Sequence, residues 1–274
     1  MDDSVFPDHG DPRFQEKLAL LQEYQYLGVP AMKSVATEKE YEERVHKACG
    51  GFEKTIYQHV AQHYLAWRSP YRGILLYHGL GVGKTCSAIT LAEALLTDHN
   101  SRMGPRIWVV LPTALQKPFE EQIIDGVCLA DKYRNMIKDG TDVKKLQTIV
   151  RSRYAMFTYE GFANEIQRLK GTHDYYNAIS NKVIIIDEAH NLRIQETDKR
   201  AAQALIDVAT EGENNKIALL SATPMYNEPD EIFWLLSVLC ANDKRKGVLS
   251  PRHLPALYNA KGVANASAMN LLRQ

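Results

Sequence analysis

From residue 73 onward, apolar runs of strand length alternate with stretches of helical periodicity. The runs are Gly73–Tyr77, Arg106–Leu111, Tyr154–Thr158, Val183–Asp187 and Lys216–Leu220. Several, WVVL and VIII among them, are apolar throughout instead of alternating with polar residues, which suits strands covered by helices on both faces. The pattern predicts an α/β domain on a parallel sheet, with right-handed crossovers and with ligands received at the carboxyl ends of the strands. Upstream the period is helical. Phe14, Leu18, Leu21 and Tyr24 recur at spacings of four, three and three, one core-facing stripe of a helix that ends before Gly28 and Pro30. Thr37 caps a second expected helix, EKEYEERVHK, whose charges form a solvated face. Residues 1 to about 12 carry Asp, Gly and Pro with little apolar content and predict a loose tail.

Composition narrows the class. The 274 residues are 45% hydrophobic, enough for a large core, and Lys+Arg 33 against Asp+Glu 33 leaves no bulk charge to attract nucleic acid. Any such contact must come from a local patch. Cys49, Cys86, Cys128 and Cys240 are scattered without a CxxC pair, which predicts reduced thiols and an intracellular protein. No apolar run approaches the ~18 residues of a membrane span, so the expectation is a soluble protein without a membrane partner. His46, Cys49, His59 and His63 offer zinc-like spacing, but His59 and His63 lie in a helical stripe with Ile56, Val60, Tyr64 and Trp67, and no metal is expected there.

The chemistry is concentrated in two places. GILLYHGLGVGKTCSAITLAEALL, residues 73–96, reads as strand, glycine turn and helix. Gly79, Gly81 and Gly83 at alternate positions let successive N–H groups curl inward, and the helix start adds free N–H groups and a positive dipole end. That is a phosphate nest. His78 stands where the strict motif has its first glycine, yet the permissive glycines inside the loop remain. Lys84 would reach the β and γ phosphates of ATP, and the Thr85 hydroxyl would take a place on Mg²⁺. The second place is KVIIIDEAHNL, residues 182–192, an apolar strand delivering two carboxylates at its carboxyl end. Asp187 would hold Mg²⁺ opposite Thr85, and Glu188 would orient the attacking water. His190 and the hydroxyls of Ser221 and Thr223, at the end of the next apolar run, form a network expected to link ATP state to domain motion.

In that order, GLGVGKT at 79–85, DEAH at 187–190 and SAT at 221–223 resemble motifs I, II and III of superfamily 2 helicases of the DEAH type. The SAT motif argues against an AAA-type ATPase. The flanks SPYRGILLYHGLGVGKTCSAI and LLSATPMYNEPDEIFWLL further resemble helicase-like ATPases of large cytoplasmic DNA viruses, of the early transcription factor small subunit and nucleoside triphosphatase type, over roughly residues 14–240. The resemblance implies a RecA-like P-loop NTPase domain at 51–240, a tail and mostly helical extension at 1–50, and at 241–274 a linker toward a second RecA-like domain. It implies that a glutamine reads the adenine edge, Gln58 with Gln62 as competitor. It further implies that Thr113 and Thr158, in motifs Ia and Ib, hold a nucleic-acid backbone, with Lys117 beside them. Up to Gln274 nothing matches the second domain's arginine-bearing QxxGRxxR-type motif, so the chain is read as half of a longer motor.

Two functions follow from the resemblance. One is the ATP-binding half of a nucleic-acid-dependent ATPase that translocates on or remodels duplexes, DNA ahead of RNA. The other is an ATP-dependent switch within a transcription-initiation or termination assembly, with RNA polymerase or transcription factors as partners. In a virus, the host cytoplasm or the virion would be its location.

Overall fold

The computed structural model describes residues 6–25, 56–77, 83–98, 107–125, 128, 135–136, 139–140, 142–192, 199–223 and 230–245. Five parallel strands make its centre: β1 (Gly73–Tyr77), β2 (Ile107–Val110), β3 (Tyr154–Phe157), β4 (Val183–Ile186) and β5 (Lys216–Ser221). Their order is β1-β5-β4-β2-β3. β5, the last of the described strands in sequence, is thus inserted between the strands that carry the two chemical segments. β2, β4 and β5 are buried along their whole length, as their uninterrupted apolar runs require.

The pleat divides the strand residues between two helical layers. Ile107, Val109, Val183, Ile185, Ala218 and Leu220 face one layer, formed by α3 (Ile56–Leu65), α4 (Lys84–Asp98), α5 (Thr113–Ile124) and α6 (Val143–Arg153). Trp108, Val110, Ile184, Ile186, Ile217 and Leu219 face the other, formed by α7 (Tyr159–Lys170), α8 (Tyr175–Ile179), α9 (Lys199–Glu211) and α10 (Asp230–Asn242). Each fully buried aliphatic side chain contributes about 1.5–3 kcal/mol, so the two clusters, rather than helix propensity, hold the layers on the sheet.

The amino-terminal region departs from expectation in two ways. The predicted single helix is two short ones, α1 (Phe14–Ala19) and α2 (Gln22–Gln25), broken at Leu20, which is 70% exposed. The stripe survives the break: Phe14, Leu18 and Leu21 are half-buried and Tyr24 is buried. Residues 6–12 are not a loose tail. Tyr71 Oη donates to the Pro7 carbonyl at 2.7 Å, His9 Nε2 and Tyr64 Oη share a 2.7 Å hydrogen bond, and the His9 ring lies 4.6 Å from Tyr71 and 5.1 Å from Phe14. A local propensity argument could not see this because the aromatic partners come from residues 64 and 71. The expected helix after Thr37, together with His46 and Cys49, lies outside the described residues.

At the foot of the sheet Lys216 is only 2% exposed, and its ammonium donates to the carbonyls of Ala66 (3.1 Å), Ser69 (2.9 Å) and Tyr71 (2.7 Å). One cation therefore satisfies the turn between α3 and β1. The end of α10 closes the same region, since Asn242 donates to the carbonyls of Arg72 and Asn215 and Asp243 accepts the Arg72 N–H. Lys244 reaches the carbonyl end of α9 at Thr210. Among the described residues no helix is long and apolar enough to cross a membrane.

Candidate active site

Gly83 closes the glycine turn. Its φ of +85° is one that a side chain would strain, and its carbonyl accepts from the Ser87 N–H at 2.9 Å, starting α4. Lys84 and Thr85 are therefore the first two residues of that helix, where N–H groups have no intrahelical partners. Gly79 and Gly81 lie outside the described residues.

On the far side of β5, the Asp187 N–H still donates to the Val110 carbonyl at 2.9 Å, so the ladder continues to the residue before the turn. Glu188 then breaks it, with φ 49° and ψ 47°, in the left-handed region. This turn swings its carboxylate back over the sheet, where Oε1 meets Lys84 Nζ at 2.5 Å. Asp187 Oδ1 accepts the Glu188 N–H at 2.9 Å. Burial raises the Asp187 carboxyl above its ordinary range, while the nearby Lys84 charge pulls it back down. A short 3₁₀ turn (Ala189–Asn191) follows and brings His190 Nδ1 to 3.3 Å from Glu188 Oε2 and 3.0 Å from Ser221 Oγ. Ser221 is fully buried and also accepts the Thr223 N–H at 3.0 Å.

The remaining predicted residues fall in two neighbourhoods. The Gln58 amide is buried beside Gly83: Nε2 is 3.8 Å from where a Cβ on that glycine would stand. Gln62, the competitor, donates instead to the Thr90 carbonyl at 2.9 Å, further along α4. Thr158 caps α7, its hydroxyl accepting the Gly161 N–H at 2.9 Å. Thr113 is exposed at the start of α5 and lines an open groove of about 800 Å³ with Lys117, Arg151 and Phe157. Lys244 and Arg245, just after α10, lie at the foot of the sheet, the end opposite Lys84.

Two features were not read from the sequence. Tyr159 Oη donates to the carbonyls of Asp187 (2.7 Å) and Glu188 (3.2 Å). A contact made 28 residues away leaves no periodic trace in the sequence. The second is a correction. Cys86 and Cys128, expected as thiols, are joined by a disulfide with Cα atoms 5.0 Å apart. Packing of α5 against α4 brings the segment after α5 onto the first turns of α4, where Thr90 Oγ1 also donates to the Cys128 carbonyl. Cys240 is free, its thiol raised by burial.

A model of the SNF2-related domain matches residues 57–244, which span all five strands and both carboxylates. The chain belongs to the SNF2-related domain family. This places it among the ATPase domains of helicase superfamily 2 and accounts for the five-stranded parallel sheet with helices on both faces. Relatives of this SNF2-related chain come from large DNA viruses. It is 27% identical to a protein of Acanthamoeba polyphaga mimivirus provisionally named an ATP-dependent RNA helicase, over 87% of this chain and 24% of the relative. It is 27% identical to the termination factor NPH-I homolog of African swine fever virus, over 69% and 24%, and 28% identical to a protein of Frog virus 3 provisionally named a helicase, over 69% and 20%. The chain thus spans a quarter or less of the length of each of these three.

Proposed function

We propose that this SNF2-related domain is the ATP-binding half of a nucleic-acid-dependent ATPase that couples hydrolysis to translocation or duplex remodelling. The observation that carries the reading is the 2.5 Å contact between Lys84 Nζ and Glu188 Oε1, which joins the helix after β1 to the end of β4 across β5. In this reading Lys84 releases Glu188 and takes the phosphates, and Glu188, freed, accepts a hydrogen bond from the attacking water and orients it toward the γ-phosphate. Gln58 accounts for the adenine edge.

The donor set suits Mg²⁺, a hard cation that takes oxygen ligands. The Thr85 hydroxyl and the buried Asp187 carboxylate would hold it, and a cation there would offset the burial that raises Asp187. When bound, the ion supplies charge neutralisation between the phosphates. Thr113 and Thr158, both at carboxyl ends of strands on one side of the sheet, are our candidates for the nucleic-acid backbone, with DNA ahead of RNA. The His190, Ser221 and Thr223 network is the candidate coupling element, answering to a second RecA-like domain in a longer chain.

A second reading rests on the likeness to the termination factor NPH-I homolog: an ATP-driven switch in a transcription assembly, without processive unwinding. Calorimetric titration of Mg²⁺-ATP against wild type and Lys84→Ala tests the part the two readings share. Equal affinity in both proteins would remove the phosphate site. Strand displacement beside promoter footprinting on the longer protein separates one reading from the other.

A further inference from the structure

We propose that Tyr159 is a positioning residue for hydrolysis, its hydroxyl fixing the conformation of Glu188. The inference rests on the reading of Glu188 as the residue that orients water. Its geometric basis is that the one proton of a hydroxyl is shared, in a three-centre bond, between the carbonyls on both sides of one α-carbon. The Asp187 carbonyl, 2.7 Å away, belongs to the peptide plane whose rotation sets φ of Glu188. The Glu188 carbonyl, 3.2 Å away, belongs to the plane that sets ψ. Both dihedrals of Glu188 are therefore pinned by one side chain.

The pinning matters because the conformation is unfavourable by itself. A left-handed residue with a Cβ sits in a sparsely populated region that persists only where its surroundings over-determine it. Glu188, at φ 49°, is such a residue. While its carboxylate meets Lys84 and His190, the other restraints on its backbone are the N–H bond to Asp187 Oδ1 and the 2.9 Å bond from the Asn191 N–H to its carbonyl. Both come from the same short turn, which can relax as a unit. Tyr159 belongs to a different element. It is the first residue of α7, a helix capped by Thr158 and anchored by Phe162, which is fully buried. Removing the hydroxyl would let the turn relax and the carboxylate drift from Lys84 and from the water it orients. A displacement of 1 Å is enough to cost on the order of 100-fold in rate.

The test compares Tyr159→Phe, Glu188→Gln and the double variant. Three quantities are measured: affinity for ATP, affinity for ADP with tetrafluoroaluminate, and single-turnover hydrolysis followed long enough to resolve the wild-type rate. Tyr159→Phe is expected to keep its ATP affinity within about twofold while losing on the order of 10- to 100-fold in rate, with a parallel loss of affinity for the transition-state mimic. The melting temperature checks that the variant is folded, and replacement of Tyr159 by 4-aminophenylalanine, which restores a donor at the same place, should recover both losses. In the Glu188→Gln background Tyr159→Phe should cost nothing more, because it acts through Glu188. Wild-type behaviour of Tyr159→Phe beside a slow Glu188→Gln would overturn the role of Tyr159 and leave that of Glu188 standing. Full additivity, or no recovery with the amino analogue, would also overturn it. Wild-type hydrolysis by Glu188→Gln would remove the water-orienting reading and this inference with it.

Discussion

Lys84 and Glu188 form an ion pair with side chains only 13% and 22% exposed. In the proposed function, nucleotide displaces this internal partner before it uses the lysine. Two substitutions should consequently move binding in opposite directions. Lys84→Ala removes a charge-assisted contact worth about 1.5–3 kcal/mol and should weaken Mg²⁺-ATP at least tenfold. Glu188→Gln frees the lysine and should bind nucleotide as tightly as wild type or more so, while hydrolysis falls. Calorimetry beside a phosphate-release assay reads both. A second residue-scale effect lies in the aromatic cluster, where burial and then the Arg245 charge lower His9 to about 4. Between that value and the ordinary 6.5 the unfolded chain binds a proton that the folded chain does not. Stability is therefore full above pH 6.5 and declines as pH falls toward 4. With partial exposure allowed for, the loss should be about 1–2 kcal/mol, read from urea midpoints, and His9→Gln should flatten the dependence. At this scale the sequence was most legible where chemistry dictates residue type: a lysine and a hydroxyl after alternating glycines, two carboxylates after an apolar run. It was silent on His9 and Tyr159, whose roles depend on partners tens of residues away.

The strands were legible because burial forces continuous apolar runs, on both faces in β2, β4 and β5, and each predicted strand lies within a residue or two of its observed bounds. The α1–α2 break was not, since a stripe at helical spacing is indifferent to a kink in the helix that bears it. Packing at this scale is testable in β4. Ile185 is fully buried among α4, α5 and α6, and Ile185→Ala should cost about 2–5 kcal/mol, seen as a lower urea midpoint. Lys216 extends the lesson. Its place at the head of an apolar run suggested an ordinary strand start, but it is the ammonium that closes three carbonyls of the α3–β1 turn. Lys216→Ala leaves those carbonyls without that donor and should destabilise by about 2–4 kcal/mol, a loss expected to appear first as faster amide exchange in residues 66–72.

For the whole molecule, four of the described cations mark the two ends of the sheet. Lys84 meets the carboxylates, while Lys216, Lys244 and Arg245 serve carbonyls and Asp243 at the foot. An arginine brought by a second domain is worth on the order of 10³–10⁵ in rate in P-loop enzymes, so residues 1–274 alone should bind ATP yet hydrolyse it very slowly, with little response to added nucleic acid. Steady-state turnover of this chain against a longer form measures the difference, and brisk stimulated turnover by the chain alone would end the reading of it as half a motor. The position of β5 bears on what any partner can adjust. Strands lie about 4.8 Å apart, so the one inserted strand holds the axes of β1 and β4 roughly 10 Å apart and works as a shim. Lys84, with a long flexible stem and a charge at its tip, spans that gap to Glu188. Side-chain replacements in β5 can alter the network around Ser221, but the aperture is set by backbone hydrogen bonds on both edges of the strand. Its width is therefore a dimension of the site that a change of side chain in β5 leaves in place, so long as the new residue keeps its backbone N–H.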